Sequence, residues 1–397
     1  FRHAYEITTA DGKKKWVLEI GEGVFDERGK VVALEGIVID ISEQKKYENL
    51  LVYKSEHDRR TGLLNLYYLE NLLTDASQKG NVNKSALVDI NMAATQLLTK
   101  AYGFKYTQCL LKKIADALSV CCTSRHLLFN IFIDRFVFYL QDYEDKNELY
   151  EFCQIIERTL EPLLRTERVT AAIGVIEIEQ GNKLDADSLL KKLLIASERA
   201  LDMSDKNFDI CFYDSAMEMQ VKREEKIKRE LAKIAEDETN KGMFLLYQPI
   251  FDLKSNKISA FEALARLKSE ELRLVSPFEF IPIAEKTKLI IPLGQRIIVE
   301  SLEFLKTLEK NGFDAISISI NVSAIQLLQD DFVDNLLKTI NKIGVSPDRI
   351  GLELTESIFS SEYEEINSIL SRLRETGLHI AIDDFGTGYS SFARERE

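Results

Sequence analysis

Residues 380–391 read IAIDDFGTGYSS, and this stretch decides how the C-terminal part of the chain is understood. Asp383 and Asp384 follow the apolar run Ile380, Ala381 and Ile382, where a buried strand meets solvent. Gly386 and Gly388 then allow a tight, permissive loop. Acids at the C-terminal ends of parallel strands are where barrel enzymes hold metals and reacting groups. A solvated turn explains a single Asp-Asp pair equally well, so its upstream partners must decide.

Three upstream segments supply them. Glu262, Leu264 and Arg266 share the parity of a strand, which puts a carboxylate and a guanidinium on one face. Residues 316–323, ISISINVS, alternate Ile316, Ile318 and Ile320 with Ser317, Ser319 and Asn321. Residues 352–357, LELTES, bring Glu353 and Glu356 to a third apolar strand. Glu262, Asn321, Glu353, Asp383 and Asp384 are all hard oxygen donors, with no His or Cys among them. Such a set suits Mg²⁺ or Mn²⁺ and not zinc or copper. Phosphoester hydrolysis is the reaction it serves best, a metal polarising the phosphoryl oxygen and lowering the pKa of a bound water.

In chain order the motifs are Tyr247-Gln248-Pro249-Ile250, Glu262-Ala263-Leu264, Phe280-Ile281-Pro282 with Ala284-Glu285, Asn321-Val322-Ser323, Glu353-Leu354-Thr355-Glu356-Ser357 and the DDFGTGYSS of residues 383–391. This order resembles EAL domains, phosphodiesterases that linearise the bacterial second messenger cyclic di-GMP, from about Met243 onward. The resemblance implies a TIM-like (β/α)8 barrel. It makes Glu262, Asn321, Glu353 and Asp383 metal ligands, with Asp384 at a second metal, and Glu262, Asp383, Asp384 and Glu356 the catalytic set. Glu356 corresponds to the carboxylate that anchors the loop after Asp384. Arg266 corresponds to the residue holding a substrate phosphate, and Gln248 lines the pocket; a strand-end salt bridge is the plain alternative for Arg266 and Glu356. EAL domains also carry a catalytic lysine and a further glutamate on later strands. A whole barrel needs about 250 residues, more than lie between Met243 and Glu397, so the barrel is expected to be truncated and these 397 residues inactive by themselves.

Composition bounds the rest. A length of 397 residues predicts two to three domains, and 45% hydrophobic content suffices for real cores. A net charge of −13 excludes a broad nucleic-acid footprint. No apolar run approaches the roughly 18 residues of a membrane span, and no signal peptide is visible. The five cysteines, Cys109, Cys121, Cys122, Cys153 and Cys211, lack metal spacing and read as reduced core thiols of a cytoplasmic protein. A preceding segment could still anchor the parent protein to a membrane.

Residues 1–43 read as strands around Tyr5-Glu6-Ile7, Trp16-Val17-Leu18-Glu19 and Gly36-Ile37-Val38-Ile39-Asp40, with turns at Asp11-Gly12 and Asp26-Glu27-Arg28-Gly29. The closing Asp40-Ile41-Ser42-Glu43-Gln44-Lys45 resembles the end of a PAS domain, of which only the C-terminal half, an α+β unit, is present. Residues 44–57 then form a signalling helix, with Tyr47, Leu50, Leu51 and Lys54 on one side.

Residues 58–216 resemble a GGDEF domain, the cyclase that makes cyclic di-GMP, with an α/β fold around a central sheet. The resemblance rests on Asp58-Arg59-Arg60-Thr61-Gly62-Leu63-Leu64-Asn65 and on Ala86-Leu87-Val88-Asp89-Ile90-Asn91, where Asp89 matches the first metal aspartate. A hairpin over 127–141, a helix over 148–164, a strand over 169–178 and a helix over 185–204 follow. The signature itself reads Phe132-Ile133-Asp134-Arg135-Phe136. Phe132 and Ile133 fill space that glycines would leave for the nucleotide, and Arg135 puts a cation where a metal ion should sit. Leu97 and Tyr106 replace the nucleotide-contacting Asn and Asp, and Thr123 and His126 replace the inhibitory Arg and Asp. Cyclase activity is therefore not expected, and Asp89 reads as structural.

Residues 217–241 are dense in charges of both signs, which predicts an exposed, self-supporting linker helix acting as a lever to the EAL part, residues 242–397. The expected function is metal-dependent hydrolysis of cyclic di-GMP to linear pGpG, regulated by the PAS and GGDEF-like parts. The alternative is a cyclic di-GMP receptor or interaction scaffold without turnover. The resemblance further implies a homodimer formed through the PAS unit, stalk helix and EAL domain.

Overall fold

The computed structural model describes residues 1–79, 84–92, 95–167, 169–178, 185–202, 208–237, 239–355 and 363–383. The chain divides into two compact units, Phe1–Glu218 and Met219–Glu397.

In the first unit, β1 (Arg2–Thr8), β2 (Lys14–Phe25) and β3 (Val31–Asp40) form an antiparallel sheet in that order. The strands run longer than their apolar cores predict. Gly21 and Gly36 stand directly opposite each other, so close that a Cβ on Gly36 would meet the Ile20 carbonyl oxygen at 2.5 Å. These glycines permit a close approach of two backbones. Every residue of β3 is exposed. The helix α1 (Ser42–Glu56) follows directly, its start tied back by the Trp16 N–H donating to Ser42 Oγ at 2.9 Å.

The remainder of this unit comprises β4 (Leu64–Asn65), α2 (Leu66–Lys79), β5 (Ser85–Met92), α3 (Thr95–Tyr102), α4 (Phe104–Ser119), β6 (His126–Phe132), β7 (Arg135–Gln141), α5 (Lys146–Glu167), β8 (Ala171–Ile178), α6 (Ala186–Asp202) and β9 (Phe208–Phe212). The strands order as β4-β6-β7-β5-β8-β9. Ala86, Val88, Ile90 and Met92 of β5 pack with residues of α4 and α5, and Leu87 packs with Leu69 and Leu73 of α2 and Leu189 and Leu193 of α6. Helices on both faces explain why this strand is an almost unbroken apolar run. Asp89 shares the parity of Leu87 and so lies on the α6 side.

The helix α7 (Ser215–Glu236) corrects the expectation of a solvated linker. Ile227, Leu231 and Ile234 are buried with Met243, Leu267, Phe280 and Leu293 in one core of the second unit. Their i, i+4, i+7 spacing is a helix-period stripe hidden among charged neighbours. Arg223 adds a two-pronged pair to Glu279, at 2.6 and 3.1 Å.

The second unit continues with β10 (Met243–Asp252), β11 (Lys257–Ser269), β12 (Arg273–Val275), α8 (Pro277–Lys286), α9 (Ile290–Lys310), β13 (Ser317–Val322), α10 (Ala324–Leu327), α11 (Phe332–Ile343), β14 (Ile350–Thr355), α12 (Tyr363–Glu375) and β15 (His379–Asp383). Its sheet orders as β10-β11-β13-β14-β15, with β12 also on β11. The β10–β11 pair is antiparallel, and β11, β13, β14 and β15 run parallel. Ile318, Ile320, Val322, Ile350, Leu352 and Leu354 pack against residues of α9, α11 and α12. The opposite parity, Ser319, Asn321, Gly351 and Glu353, is thereby turned away from that core. Among the described residues no helix is long and apolar enough to cross a membrane.

Candidate active site

Parallel pairing carries the polar residues of the second unit toward one end of its sheet. Glu262 pairs with Ser319 across β11 and β13, Asn321 with Glu353 across β13 and β14, and Thr355 with Asp383 across β14 and β15. Adjacent strands lie about 4.8 Å apart, so these register positions form one staggered polar row across the four parallel strands. Asn321 Nδ2 donates to Glu262 Oε1 at 2.9 Å. On the antiparallel side Gln248 stands opposite Glu262.

Aromatic packing fixes which way these two side chains face. The Tyr247 ring stacks on Phe304 of α9 with centroids 3.6 Å apart, and Phe261 meets the same ring edge-on at 5.6 Å. Tyr247 and Phe261 thus point to the helix side. Gln248 and Glu262, each one residue further along its strand, point the other way.

Arg266 shares Glu262's parity, as expected, yet its guanidinium folds back so that Nη1 donates to the Ala265 carbonyl at 2.9 Å. Among the described residues it makes no salt bridge. Asp384 and Glu356 lie outside the described residues.

Burial and like charge act together on one member of the cluster. The carboxyl of Glu353 is pushed above the ordinary range, first by burial and then by the negative charges of Glu262 and Asp383; Ser319 opposes this by hydrogen bonding to it. Ser319 faces the same side of the sheet as Glu353, a position that the motif reading passed over. Gly351 stands beside it in the register, and a Cβ there would come within 3.2 Å of Ser319 Oγ. The available signal was Ser319's parity with Asn321.

Mutually repelling carboxylates with an amide between them are the donor chemistry of a hard divalent cation. Among the described residues no three acids, histidines or cysteines already stand at ligating spacing, so the fit rests on donor type, register and charge.

The middle domain's counterpart is arranged differently. Asp89 is fully buried, and Arg135 Nη1 donates to its Oδ2 at 2.7 Å. Burial pushes the Asp89 carboxyl up to about 6 despite that neighbouring cation. The β6–β7 turn is tied to its surroundings by Met92 N–H donating to the Asp134 carbonyl at 3.0 Å and Thr95 Oγ1 donating to Asp134 Oδ2 at 2.8 Å. Phe132, Ile133 and Leu97 are exposed, and the Tyr106 hydroxyl is engaged with Glu167. With a guanidinium against Asp89, these residues do not fit a divalent ion.

Comparison with known proteins agrees with this architecture. Residues 231–397 match the EAL domain, and residues 55–206 match the family described as diguanylate cyclase, GGDEF domain. The chain thus carries a GGDEF match followed by an EAL match. MucR of Pseudomonas aeruginosa, named a bifunctional diguanylate cyclase/cyclic di-GMP phosphodiesterase, is 26% identical over 86% of this chain and 50% of its own length. The cyclic di-GMP phosphodiesterase PdeR of Escherichia coli is 24% identical over 89% of this chain and 53% of its own. The solved S helix-GGDEF-EAL portion of Vibrio cholerae LapD, bound to c-di-GMP, shares the fold, with a TM-score of 0.53 at 15% identity, covering 89% of this chain and 82% of that one. The chain spans about half the length of the curated relatives it matches.

Proposed function

We propose that the second unit hydrolyses cyclic di-GMP to linear pGpG with Mg²⁺ or Mn²⁺. The observation that carries this reading is the polar row Glu262, Asn321, Glu353 and Asp383 on adjacent parallel strands, in which the charges of Glu262 and Asp383 both push the Glu353 carboxyl up. Glu262, Asn321, Glu353, Asp383 and Asp384 would hold the metal, which when bound polarises the phosphoryl oxygen and acidifies a water. Asn321 orients the Glu262 carboxylate through its amide, Ser319 does the same for Glu353, and Gln248 borders the site from β10. Arg266, freed from the Ala265 carbonyl, supplies a two-pronged contact to a substrate phosphate. Glu356 anchors the loop that follows Asp384.

In this reading the sheet β10–β15 belongs to a (β/α)8 barrel, and β1–β3 form the end of a PAS domain. The middle domain makes no cyclic di-GMP and serves regulation, and the protein is a homodimer through the PAS sheet, α1 and the EAL domain. The test is turnover of cyclic di-GMP by the full-length protein with Mn²⁺, with and without Glu262→Ala. The expected result is linear pGpG from the unaltered protein and loss of at least about 100-fold in rate in the variant, equal to about 2.7 kcal/mol. Full turnover by Glu262→Ala would sink the assignment. Tight binding of cyclic di-GMP without any product would make the protein a receptor instead.

A further inference from the structure

The buried pair in the middle domain is more than an ordinary ion pair, because a strand and a helix, β5 and α6, converge on one guanidinium. Arg135 Nη1 donates at 2.7 Å to Asp89 Oδ2 of β5 and at 2.7 Å to Ser197 Oγ of α6. Its Nη2 reaches Glu198 Oε1 of α6 at 3.2 Å. Asp89 Oδ1, fully buried, accepts no hydrogen bond. The position is held open by the backbone. Gly174 of β8 lies opposite Asp89 in the sheet, and a Cβ there would stand 2.4 Å from Ser197 N. The α6 backbone therefore rests directly on the strand beside Asp89.

An oxygen-lined position with a carboxylate at full burial, one of its oxygens unpartnered, and a second carboxylate at its rim needs a cation. We infer that Arg135 is a tethered cation taking the place of a divalent ion between Asp89, Ser197 and Glu198. It fastens α6 to the sheet, so that the structure of the middle domain does not respond to divalent ions. Arg135 is thus a positioning residue. The position it fills accepts Mn²⁺ once the guanidinium is removed, with Asp89 and Glu198 as carboxylate donors.

Peptide-resolved hydrogen exchange on the whole chain tests this without interference from the second unit. In the unaltered protein, residues 85–92 and 186–202 should exchange identically in EDTA and in Mn²⁺. In Arg135→Ala both segments should exchange at least about tenfold faster in EDTA and regain protection in Mn²⁺. Arg135→Lys, which keeps the charge, should need no Mn²⁺. Protection of the unaltered segments by Mn²⁺ would overturn the inference, as would an Arg135→Ala protein that exchanges normally in EDTA. Loss of protection that Mn²⁺ fails to recover would reduce Arg135 to a simple salt bridge. If Arg135→Ala does not fold in EDTA, refolding it in Mn²⁺ serves as the same test, and failure there too counts against the proposal.

Discussion

Two sets of strand-borne acids, one in each unit, meet opposite electrostatic fates. Asp89 is completely buried, and its charge is answered within the chain by Arg135 at 2.7 Å. Glu353 is half-buried, and the charged neighbours that move its carboxyl are Glu262 and Asp383, both of its own sign. Carboxylates that repel one another across adjacent strands favour an external cation between them. A protein that supplies the guanidinium itself has met that demand. The acids alone do not separate a metal site from a structural pair; the identity of the nearest cation does.

The largest effect expected from this contrast is on chemistry. Glu353→Gln, measured by cyclic di-GMP turnover of the full-length protein, should lower the rate at least about 100-fold, while Asp89→Asn leaves it within about threefold. A comparable loss in both variants would erase the distinction between the two acid sets.

Next comes stability. Removing one partner of a buried pair strands the other, so Arg135→Ala should destabilise the middle domain by about 3–5 kcal/mol in denaturant unfolding. Neutralising both, as Asp89→Asn with Arg135→Met, should recover most of that loss. A double variant no better than the single one would show that the hydrogen bonds to Ser197 and Glu198, and not charge compensation, dominate.

A related effect appears with pH. The unfolded Asp89 titrates near 3.9, and the folded one is pushed up to about 6. Between those values the folded state holds the proton more tightly, so middle-domain stability falls as pH rises through this window, by up to roughly 2–3 kcal/mol. Asp89→Asn should flatten that slope. In the second unit the raised Glu353 must lose its proton to bind a metal, so Mn²⁺ affinity should weaken as pH falls. Calorimetry at stepped pH would detect a flat profile and so refute this.

The smallest expected effect is steric. Gly174→Ala drives a methyl against the Ser197 backbone and should cost about 1–3 kcal/mol, visible as a lowered unfolding midpoint. An unchanged midpoint would mean that α6 can shift away at no cost.

How much of this was legible before the structure depends on the range of the interaction. The alternation in ISISINVS and the apolar run of β5 announced strands, because period and burial are local properties. The row of polar residues was legible through motif order, and the pairing of Arg135 with an acid through the chemistry of a cation at that position. Ser319's contact with Glu353 was not, since it depends on β13 and β14 lying in one particular register. The packing of α7 was missed because Ile227, Leu231 and Ile234 are outnumbered by charged neighbours, although their spacing was present to be read. The extension of β2 past Glu19 and of β3 to residues before Gly36 escaped for a third reason: a glycine's role depends on the backbone facing it, and at Gly21 another glycine does so.

The central claim, that the acids of the second unit await a cation and Asp89 does not, is tested most directly by counting bound Mn²⁺ on the full-length protein by electron paramagnetic resonance. The account predicts that Asp89→Asn leaves the count unchanged, whereas Glu262→Gln combined with Glu353→Gln lowers it. A count that falls with Asp89→Asn, or survives loss of both glutamates, would contradict it.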